Sequence, residues 1–435
     1  MNNPDVIIIG AGIIGCAAAF ELSKKGYKTL NIEKLGQVGA GSTVNSCGIV
    51  RFSYSTYDGV ALAYEGVRYW ENWADYLEVE DKSGLAQFNQ CGTLILKSPT
   101  HKIDKMKWHY SKLQIPYEEW GAEKVLERLP VLSSGSYYPP SHPDEDEDFW
   151  DEPSKELEGA LYTPDSGYVN DPQLATHNLA VAARAKGATF MFGNVVKAIR
   201  RTDDKILGVT IESGQQIDAP IVINVAGPHS YIINQMAGVA DEMRIKTKAL
   251  RHEVHHVPAP AGFRFDRKGM HVSDGDTGVY FRPETGNHIL VGSGDPDCDK
   301  HQWVSDPDDF NRGLTQHQWN AQVYRLAQRI PDLPLPNEKQ GVVDLYDVSD
   351  DWLPIYDKSS LGGYYMAVGT SGNQFKNAAP VGYMLTQLID AVENGHDHDN
   401  DPVKYRTVYE DLELNIGFYS RLREINEESS FTVSG

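Results

Sequence analysis

The sequence predicts an α/β fold in which a domain with a doubly wound parallel sheet carries an inserted, strand-rich second domain. The first observation is that the N-terminal residues follow the order strand, glycine-rich turn, helix and strand, which is a βαβ unit. The second is that buried strands and helices alternate again near the end of the chain, whereas the middle is rich in strands. An insertion into the first domain is the simplest arrangement that joins these segments.

Hydrophobic periodicity and turn residues predict the individual elements. The first helix is expected to end at Gly26, and Asp171-Pro172 is typical of the start of a helix that Gly187 ends. Short apolar runs rich in β-branched residues predict the strands. The predicted helices cover residues 13–25, 67–77, 101–113, 122–129, 171–186, 306–329 and 379–393; the predicted strands cover residues 5–9, 28–32, 90–97, 189–194, 195–202, 206–213, 216–218, 221–225, 249–257, 278–283, 289–292 and 364–368. Residues 142–158 are acid-rich and predict a loop or mobile lid, and residues 402–435 predict a polar helix and tail.

Composition excludes several classes of protein. The chain has 435 residues, of which 40% are hydrophobic and 23% are charged, so it can bury a sizeable core. Its 61 Asp and Glu outnumber its 40 Lys and Arg, and this acidic balance argues against nucleic-acid and anionic-membrane partners. No apolar run is long enough to form a transmembrane segment. The four cysteines have no paired spacing, so we expect reduced thiols and a cytoplasmic location.

The first turn carries a nucleotide-binding motif. Residues 10–15 read GAGIIG, directly after a strand and at the start of a helix. Gly10 permits the tight turn, Gly12 lets the backbone approach a pyrophosphate, and Gly15 lets the helix pack on the strand. Glu33, at the end of the second strand, can accept hydrogen bonds from ribose hydroxyls and disfavours a 2′-phosphate. The motif predicts dinucleotide binding but does not by itself separate NAD from FAD.

Further motifs follow in order along the chain. They are residues 33–34 (EK), 39–43 (GAGST), 159–186, 221–227 (IVINVAG) and 369–380 (GTSGNQFKNAAP). Together they resemble the D-amino-acid-oxidase-like superfamily of FAD enzymes, and within it the sarcosine oxidase and dimethylglycine dehydrogenase branch.

This resemblance implies a domain organisation. A Rossmann-type FAD-binding domain would comprise residues 1–88, 160–230 and 336–400. An inserted substrate domain built on an antiparallel β-sheet would comprise residues 89–159 and 231–335. Residues 401–435 would form a C-terminal helix and tail.

The resemblance also implies the residues that contact FAD, which is expected to bind non-covalently. Residues 226–227 would border the cofactor, and Val196 would meet the adenine region through its backbone. Residues 372–376 follow a buried strand and precede a helix, so their N–H groups could stabilise negative charge on a reduced flavin. The full predicted set is Gly10, Gly12, Ile14, Gly15, Glu33, Lys34, Gly41, Ser42, Thr43, Asn45, Cys47, Gly48, Val196, Ala226, Gly227, Gly372, Asn373, Gln374, Phe375 and Lys376.

Four residues match the family's substrate site. Arg51 and Lys376 match the cations that hold a substrate carboxylate, one as a bidentate fork and one as a point charge. Tyr280 and Tyr346 match two tyrosines that line the pocket, where aromatic faces suit an alkylated amine.

Several positions depart from the family pattern. Asn45 stands where related dehydrogenases attach FAD through histidine, and Asp344 stands where monomeric sarcosine oxidases attach it through cysteine. Leu290 aligns with the oxygen-activating lysine of the oxidases and Gly294 with their active-site histidine. These departures therefore leave open the alternative that the enzyme is a dehydrogenase with an electron acceptor other than oxygen.

A cluster of three histidines does not predict a metal site. His252, His255 and His256 lie close together in one predicted strand. Neighbouring strand residues point to opposite faces, so the three rings do not converge on one ion, and no metal is expected.

The expected function is FAD-dependent oxidation of a secondary or tertiary amino acid, such as an N-methylated glycine, by hydride transfer and hydrolysis of the iminium product. The partners would be a small carboxylate-bearing amine and either oxygen or an electron acceptor, and an oligomer is compatible with the sequence. Oxidation of a D-amino acid, a cyclic imino acid or a 2-hydroxy acid is an alternative, because the carboxylate ligands would serve all of these. A flavin-carrying subunit of a larger electron-transfer complex is another.

Overall fold

The computed structural model describes residues 3–433 and confirms the predicted fold class. A six-stranded sheet forms the centre of the nucleotide-binding part. Its neighbouring strands are parallel except for the last pair, which is antiparallel. In spatial order, the strands are Thr189–Met191, Thr29–Ile32, Val6–Ile9, Ile221–Asn224, Tyr364–Val368 and Ile355–Lys358. Val6–Ile9, which precedes the glycine-rich turn, is therefore adjacent to Ile221–Asn224, which precedes residues 226–227. This pairing brings two distant motifs to one edge of the sheet.

Three long helices cover one face of this sheet. Ile13–Lys24 packs between Pro172–Ala185 and Ala378–Glu393. The contact with the last helix is close, because a Cβ on Gly382 would lie 2.7 Å from the backbone of Ala17. Small residues at this crossing let the N-terminal ends of two helices converge near the same strand ends.

A nine-stranded, mostly antiparallel sheet forms the second part of the molecule. Its strands are Gln302–Val304, Thr247–Pro258, His288–Ser293, Val279–Glu284, His271–Asp274, Thr93–Leu96, Gly159–Thr163, Glu118–Gly121 and Gly341–Ser349. The predicted boundaries need correction here. They place Gly159–Thr163 and Gly341–Ser349 almost wholly in the FAD-binding domain, yet both pair with strands of the large sheet.

The remaining elements connect the two large sheets. The other helices are Tyr57–Glu71, Trp73–Leu77, Ile103–Leu113, Ala122–Arg128, Ser230–Ala237, Phe265–Lys268, Gln316–Trp319 and Arg325–Arg329, with a π-helix at Asn320–Tyr324 and 3-10 turns at Gly227–His229, Phe375–Asn377 and Ile416–Tyr419. The small sheets pair Ile49–Val50, Gly167–Val169 and Phe88–Asn89; Val196–Arg201, Ile206–Ile211 and Gln216–Asp218; Gly135–Ser136 and Lys155–Glu156; and Lys404–Arg406 and Glu413–Asn415.

Two predicted helices are wrong in whole or in part. Helical structure in 306–329 begins only at Gln316, because Pro307 and Gly313 interrupt the earlier residues. Residues 401–433 contain a two-stranded sheet and a 3-10 turn where the sequence predicts an α-helix, because this polar segment is held by side-chain contacts with the rest of the chain rather than by its own periodicity. The ends of the predicted domains at residues 1–2 and 434–435 lie outside the described residues. Within residues 3–433, no helix is both long and apolar enough to cross a membrane.

Candidate active site

One large cavity lies between the two sheets and brings the predicted site residues together. Its volume is about 1060 Å³, enough for a dinucleotide and a small substrate. Every predicted cofactor residue lines it, as do Arg51, Tyr280 and Tyr346. These residues come from segments more than 300 positions apart in the chain. Their assignment to cofactor or substrate stays a prediction.

The glycine-rich turn opens the start of the first helix toward this cavity. Gly10 has a φ of +117°, and a Cβ there would lie 2.5 Å from the carbonyl oxygen of Val225. Gly12 is the N-cap of helix Ile13–Lys24 and supplies no side-chain cap. The helix therefore presents backbone N–H groups and a positive dipole end, which is a suitable site for a pyrophosphate.

Acidic and polar side chains shape the adjoining part of the cavity. Glu33 accepts hydrogen bonds from the backbone N–H groups of Ala11 and Leu35, each at 2.8 Å. These bonds fix the carboxylate at the end of its strand. There it lines the cavity and could accept hydrogen bonds from ribose hydroxyls. Lys34 pairs with Asp308 and lies 3.2 Å from the ring of His229.

The positions linked to covalent flavin attachment hold no suitable nucleophile. Asn45 donates a hydrogen bond of 2.6 Å from Nδ2 to Oδ2 of Asp344. Cys47 lies nearby, but burial raises the pKa of its thiol, and its sulfur lies 3.3 Å from the hydroxyl of Tyr280. A thiol with a raised pKa is a poor nucleophile. The residues present fit an FAD that is held by backbone N–H groups and hydrogen bonds.

The second glycine-rich loop faces the same cavity from the other helix. Gly372 has a φ of +71°, and a Cβ there would lie 2.5 Å from the ring of Tyr346. Phe375 stacks on Trp70 with ring centroids 5.4 Å apart, and Trp70 donates a 2.9 Å hydrogen bond to the carbonyl of Lys376. These contacts hold residues 372–376 rigidly at the start of helix Ala378–Glu393. A rigid loop of this kind can present N–H groups to a flavin edge.

The two predicted carboxylate ligands lie at one end of the cavity. Lys376 is buried and donates hydrogen bonds from Nζ to the hydroxyl of Tyr54 at 2.6 Å and to the carbonyl of Asn373 at 2.5 Å. Burial, and then the charge of Arg51, hold the pKa of Lys376 well below its usual value. Arg51 donates to the carbonyl of Ser53 at 2.9 Å. The centroid of the Tyr54 ring lies 5.1 Å from Cζ of Arg51 and 4.8 Å from Nζ of Lys376.

The two predicted tyrosines form one wall of the cavity. Burial raises the pKa values of both Tyr280 and Tyr346 well above the usual range, so their hydroxyls stay protonated. Gly292 and Gly372 make room for them, since a Cβ on Gly292 would lie 2.3 Å from the Tyr280 hydroxyl. The two tyrosine rings are thus held in place by packing, and they can contact the apolar part of a substrate.

This wall also contains an acid–base pair that no sequence motif signals. Nε2 of His252 lies 3.0 Å from Oδ1 of Asp295, and the His252 ring stacks on Tyr346 with centroids 4.4 Å apart. The sequence assigned no role to His252, since it was considered only within a histidine cluster for which no metal was expected. The alternation of the strand did place His252 and His255 on opposite faces, and His255 indeed lies away from the cavity against Gln322.

A second acid that the sequence did not signal lies near the second glycine-rich loop. Asp347 is buried, and its Oδ2 accepts a 2.7 Å hydrogen bond from the N–H of Gly369. Burial raises the pKa of this carboxyl to about 7. No feature of the sequence signals this environment, because it depends on the strand pairing that buries the residue.

A histidine pair outside the cavity brings together groups that could bind a metal. Ligand atoms of His142, Asp144 and His317 lie within 4.8 Å of one another. The two rings are stacked, however, with centroids 4.0 Å apart and an interplanar angle of 17°. Stacked imidazoles do not direct their lone pairs at one tetrahedral ion, so we assign no metal to this cluster.

The chain is similar to known proteins over most of its length. The model of a protein family described as FAD dependent oxidoreductase matches residues 5–388. Human mitochondrial sarcosine dehydrogenase is 25% identical over 379 residues, which cover 85% of this chain but 38% of that protein. The glycine oxidase of Geobacillus kaustophilus is 22% identical over 401 residues, which cover 90% of this chain and 94% of that protein. The chain therefore spans less than two-fifths of the sarcosine dehydrogenase.

Solved structures show the same fold. The L-proline dehydrogenase from P. horikoshii superimposes with a TM-score of 0.74 and 22% sequence identity, covering 96% of this chain and 97% of the other. The glycine oxidase from Geobacillus kaustophilus superimposes with a TM-score of 0.71 and 21% identity, covering 91% of this chain and 97% of the other.

Proposed function

The chain belongs to the family of FAD-dependent oxidoreductases, as its motifs indicated, and we propose that it oxidises a secondary or tertiary amino acid of the N-methylated glycine type. One observation carries this proposal. Among residues 3–433, no carboxylate lies within ion-pair distance of the buried Lys376, which lies beside Arg51 at one end of the cavity. A buried cation without a counter-charge is costly. A substrate carboxylate would supply that charge and restore the ammonium form.

Different residues around this cavity would bind different parts of the substrate. Bound FAD would supply the acceptor for a hydride equivalent from the carbon next to the substrate nitrogen. Arg51 would orient the substrate carboxylate, and Lys376 would add a second charge. Tyr280 and Tyr346 would contact the alkyl groups on nitrogen and exclude water from the reacting carbon. No side chain needs to act as a strong base, because positioning is the main contribution of these residues.

We further propose that the electrons pass to an acceptor other than oxygen. Leu290, which aligns with the oxygen-activating lysine of the oxidases, lies on strand His288–Ser293, carries no charge and does not line the cavity, whereas Gly294, which aligns with their active-site histidine, lines it without a side chain. A cation close to the flavin favours formation of superoxide, so the lack of both the aligned lysine and the aligned histidine supports a dehydrogenase.

Anaerobic reduction of the flavin tests the proposal. The purified holoprotein would be mixed with sarcosine, dimethylglycine, a D-amino acid, L-proline and a 2-hydroxy acid, and flavin absorbance would be recorded. We expect rapid bleaching by an N-methylated glycine, and then faster reoxidation by a dye than by air. Bleaching by another member of the panel alone would reassign the substrate. No bleaching by any of them would refute an amino-acid oxidoreductase and favour a flavin-carrying subunit.

A further inference from the structure

The segment formed by residues 429–433 reaches into the substrate end of the cavity. The carbonyl oxygen of Val433 accepts hydrogen bonds from Nη2 of Arg51 at 2.8 Å and from Nδ2 of Asn373 at 3.1 Å. The N–H of Val433 donates to Oδ2 of Asp295 at 3.3 Å. Val433 therefore joins the predicted carboxylate ligand Arg51 to the carboxylate of Asp295.

The side chain of Val433 is also held within the site. It is buried in an apolar cluster with Leu250, Val348 and Trp352, and the rings of Tyr280 and Tyr346 pack against this cluster. Val433 thus places an acceptor oxygen at Arg51, a donor N–H at Asp295 and an aliphatic group beside the tyrosines. An α-amino acid has the same three features: a carboxylate, an amine and an alkyl group.

The carboxylate of Asp295 is positioned to bind a hydrogen-bond donor or a cation. It is only 8% exposed, and its two carboxylate oxygens are directed at different groups, Oδ1 at His252 and Oδ2 at Val433. Its φ of +56° places it in the left-handed region, so its position is set by the surrounding fold. The site is therefore polarised, with Arg51 and Lys376 on one side and Asp295 on the other.

We propose that Val433 occupies the place of the substrate, that Asp295 is the residue that binds the substrate amine, and that residues 429–433 must withdraw for catalysis. The proposal rests on the proposed function, because it assumes that the ligand carries both an amine and a carboxylate. It makes the segment a tethered competitor for the site. Any ligand with a carboxylate has to displace the carbonyl of Val433 from Arg51, whereas only a ligand that also has an amine engages Asp295.

Two sets of variants of the holoprotein separate these claims. The first set removes the segment, either by a stop after Glu428 or by Val433→Glu, which puts a charge into the apolar cluster. Benzoate, a carboxylate without an amine, would be titrated against flavin absorbance. We expect about tenfold tighter benzoate binding in both variants, and competition when an end-blocked peptide with the sequence of residues 429–433 is added to the truncated protein. Unchanged or weaker benzoate binding in both variants, or no competition by the peptide, would overturn the role of the segment.

The second set tests amine recognition. Asp295→Asn keeps the shape of the side chain and tolerates a positive φ, and Asp297→Asn is the matched control, since it removes the same charge from an exposed residue of the same loop. The rate of flavin reduction without oxygen would be measured over a range of concentrations of sarcosine and of L-proline, and the dependence of the rate on concentration gives an apparent Kd for each. In Asp295→Asn we expect their binding to weaken about 10- to 100-fold, which is the effect of losing a charged hydrogen bond, whereas benzoate binding stays unchanged. Equal weakening of both ligand classes, or no change in either, would overturn the assignment of Asp295. If benzoate responds to removal of the segment but no amino acid reduces the flavin, the proposed function fails while the competition by residues 429–433 stands.

Discussion

Replacing Asp347 by asparagine should change how the stability of the protein depends on pH. The carboxyl has a pKa of about 7 in the folded protein, raised from 3.8 by burial. Because the folded state binds this proton more tightly than the unfolded state, the carboxyl costs nothing below pH 3.8. Its cost grows as the pH rises toward 7, and it is complete above pH 7.

The size of the effect follows from the shift. Each pKa unit corresponds to about 1.4 kcal/mol, so ionisation of Asp347 lowers the free energy of unfolding by about 4 kcal/mol above pH 7. Between pH 5 and pH 8, this ionisation lowers the free energy of unfolding of the parent protein by about 3 kcal/mol. The asparagine side chain of the variant has no such titration and can still accept the hydrogen bond from the N–H of Gly369. The stability of Asp347→Asn relative to the parent should therefore rise by about 3 kcal/mol over this range.

Urea unfolding at pH 5, 6, 7 and 8 measures this difference. Comparing the slopes with pH removes any constant effect of the substitution on packing. Asp299→Asn is the control. Asp299 is also largely buried, but its pKa is lowered, because its hydrogen bonds with Arg325 and Ser293 outweigh the effect of burial. A lowered pKa contributes stability that is fully present above about pH 4, and arginine keeps its charge over this range, so this variant should lose a constant amount from pH 5 to pH 8. Parallel profiles for the parent and Asp347→Asn would refute the reasoning.

Three further predictions concern the cavity. Arg51→Gln should weaken benzoate binding about 10- to 100-fold, because a charged hydrogen bond is lost, while FAD affinity changes little; equal loss of both by titration would contradict a role at the substrate end. Denaturation in acid should release all of the flavin into the supernatant, since Asn45 and Asp344 cannot bond to it covalently, and a pellet that stays yellow would disprove this. Gly10→Ala should lower the free energy of unfolding by about 2 kcal/mol or more and abolish FAD binding, because its Cβ would clash with the carbonyl of Val225; normal flavin content would count against the pyrophosphate site.

Local sequence signals were sufficient for much of the nucleotide-binding part. The strand at Val6–Ile9 and the helix at Ile13–Lys24 follow from a short apolar run, three glycines and a helix stop. The large sheet was harder to predict, because the pairing of Gly341–Ser349 with Thr247–Pro258 joins segments about 90 residues apart. No local pattern specifies such a partner, and the domain boundaries were misplaced for that reason.

In the candidate site, too, some residues could be predicted from local sequence patterns and others could not. Motif residues such as Gly12 and Arg51 could be predicted because each belongs to a recognisable local pattern. Asp295 and Val433 could not, because their roles arise from contacts across the cavity with His252 and Arg51, and neither residue stands in a motif. The physical reason is that charge complementarity between distant segments leaves no periodic trace in a single sequence.

The order of strands in the six-stranded sheet has a consequence for biosynthesis. Val6–Ile9 pairs with Ile221–Asn224, and that strand pairs with Tyr364–Val368, which is translated long after the first two strands. The loop at residues 372–376 is translated later still. If residues 372–376 contact the flavin as proposed, a nascent chain that lacks them presents only part of the binding surface, and cofactor loading has to wait until this loop has been translated.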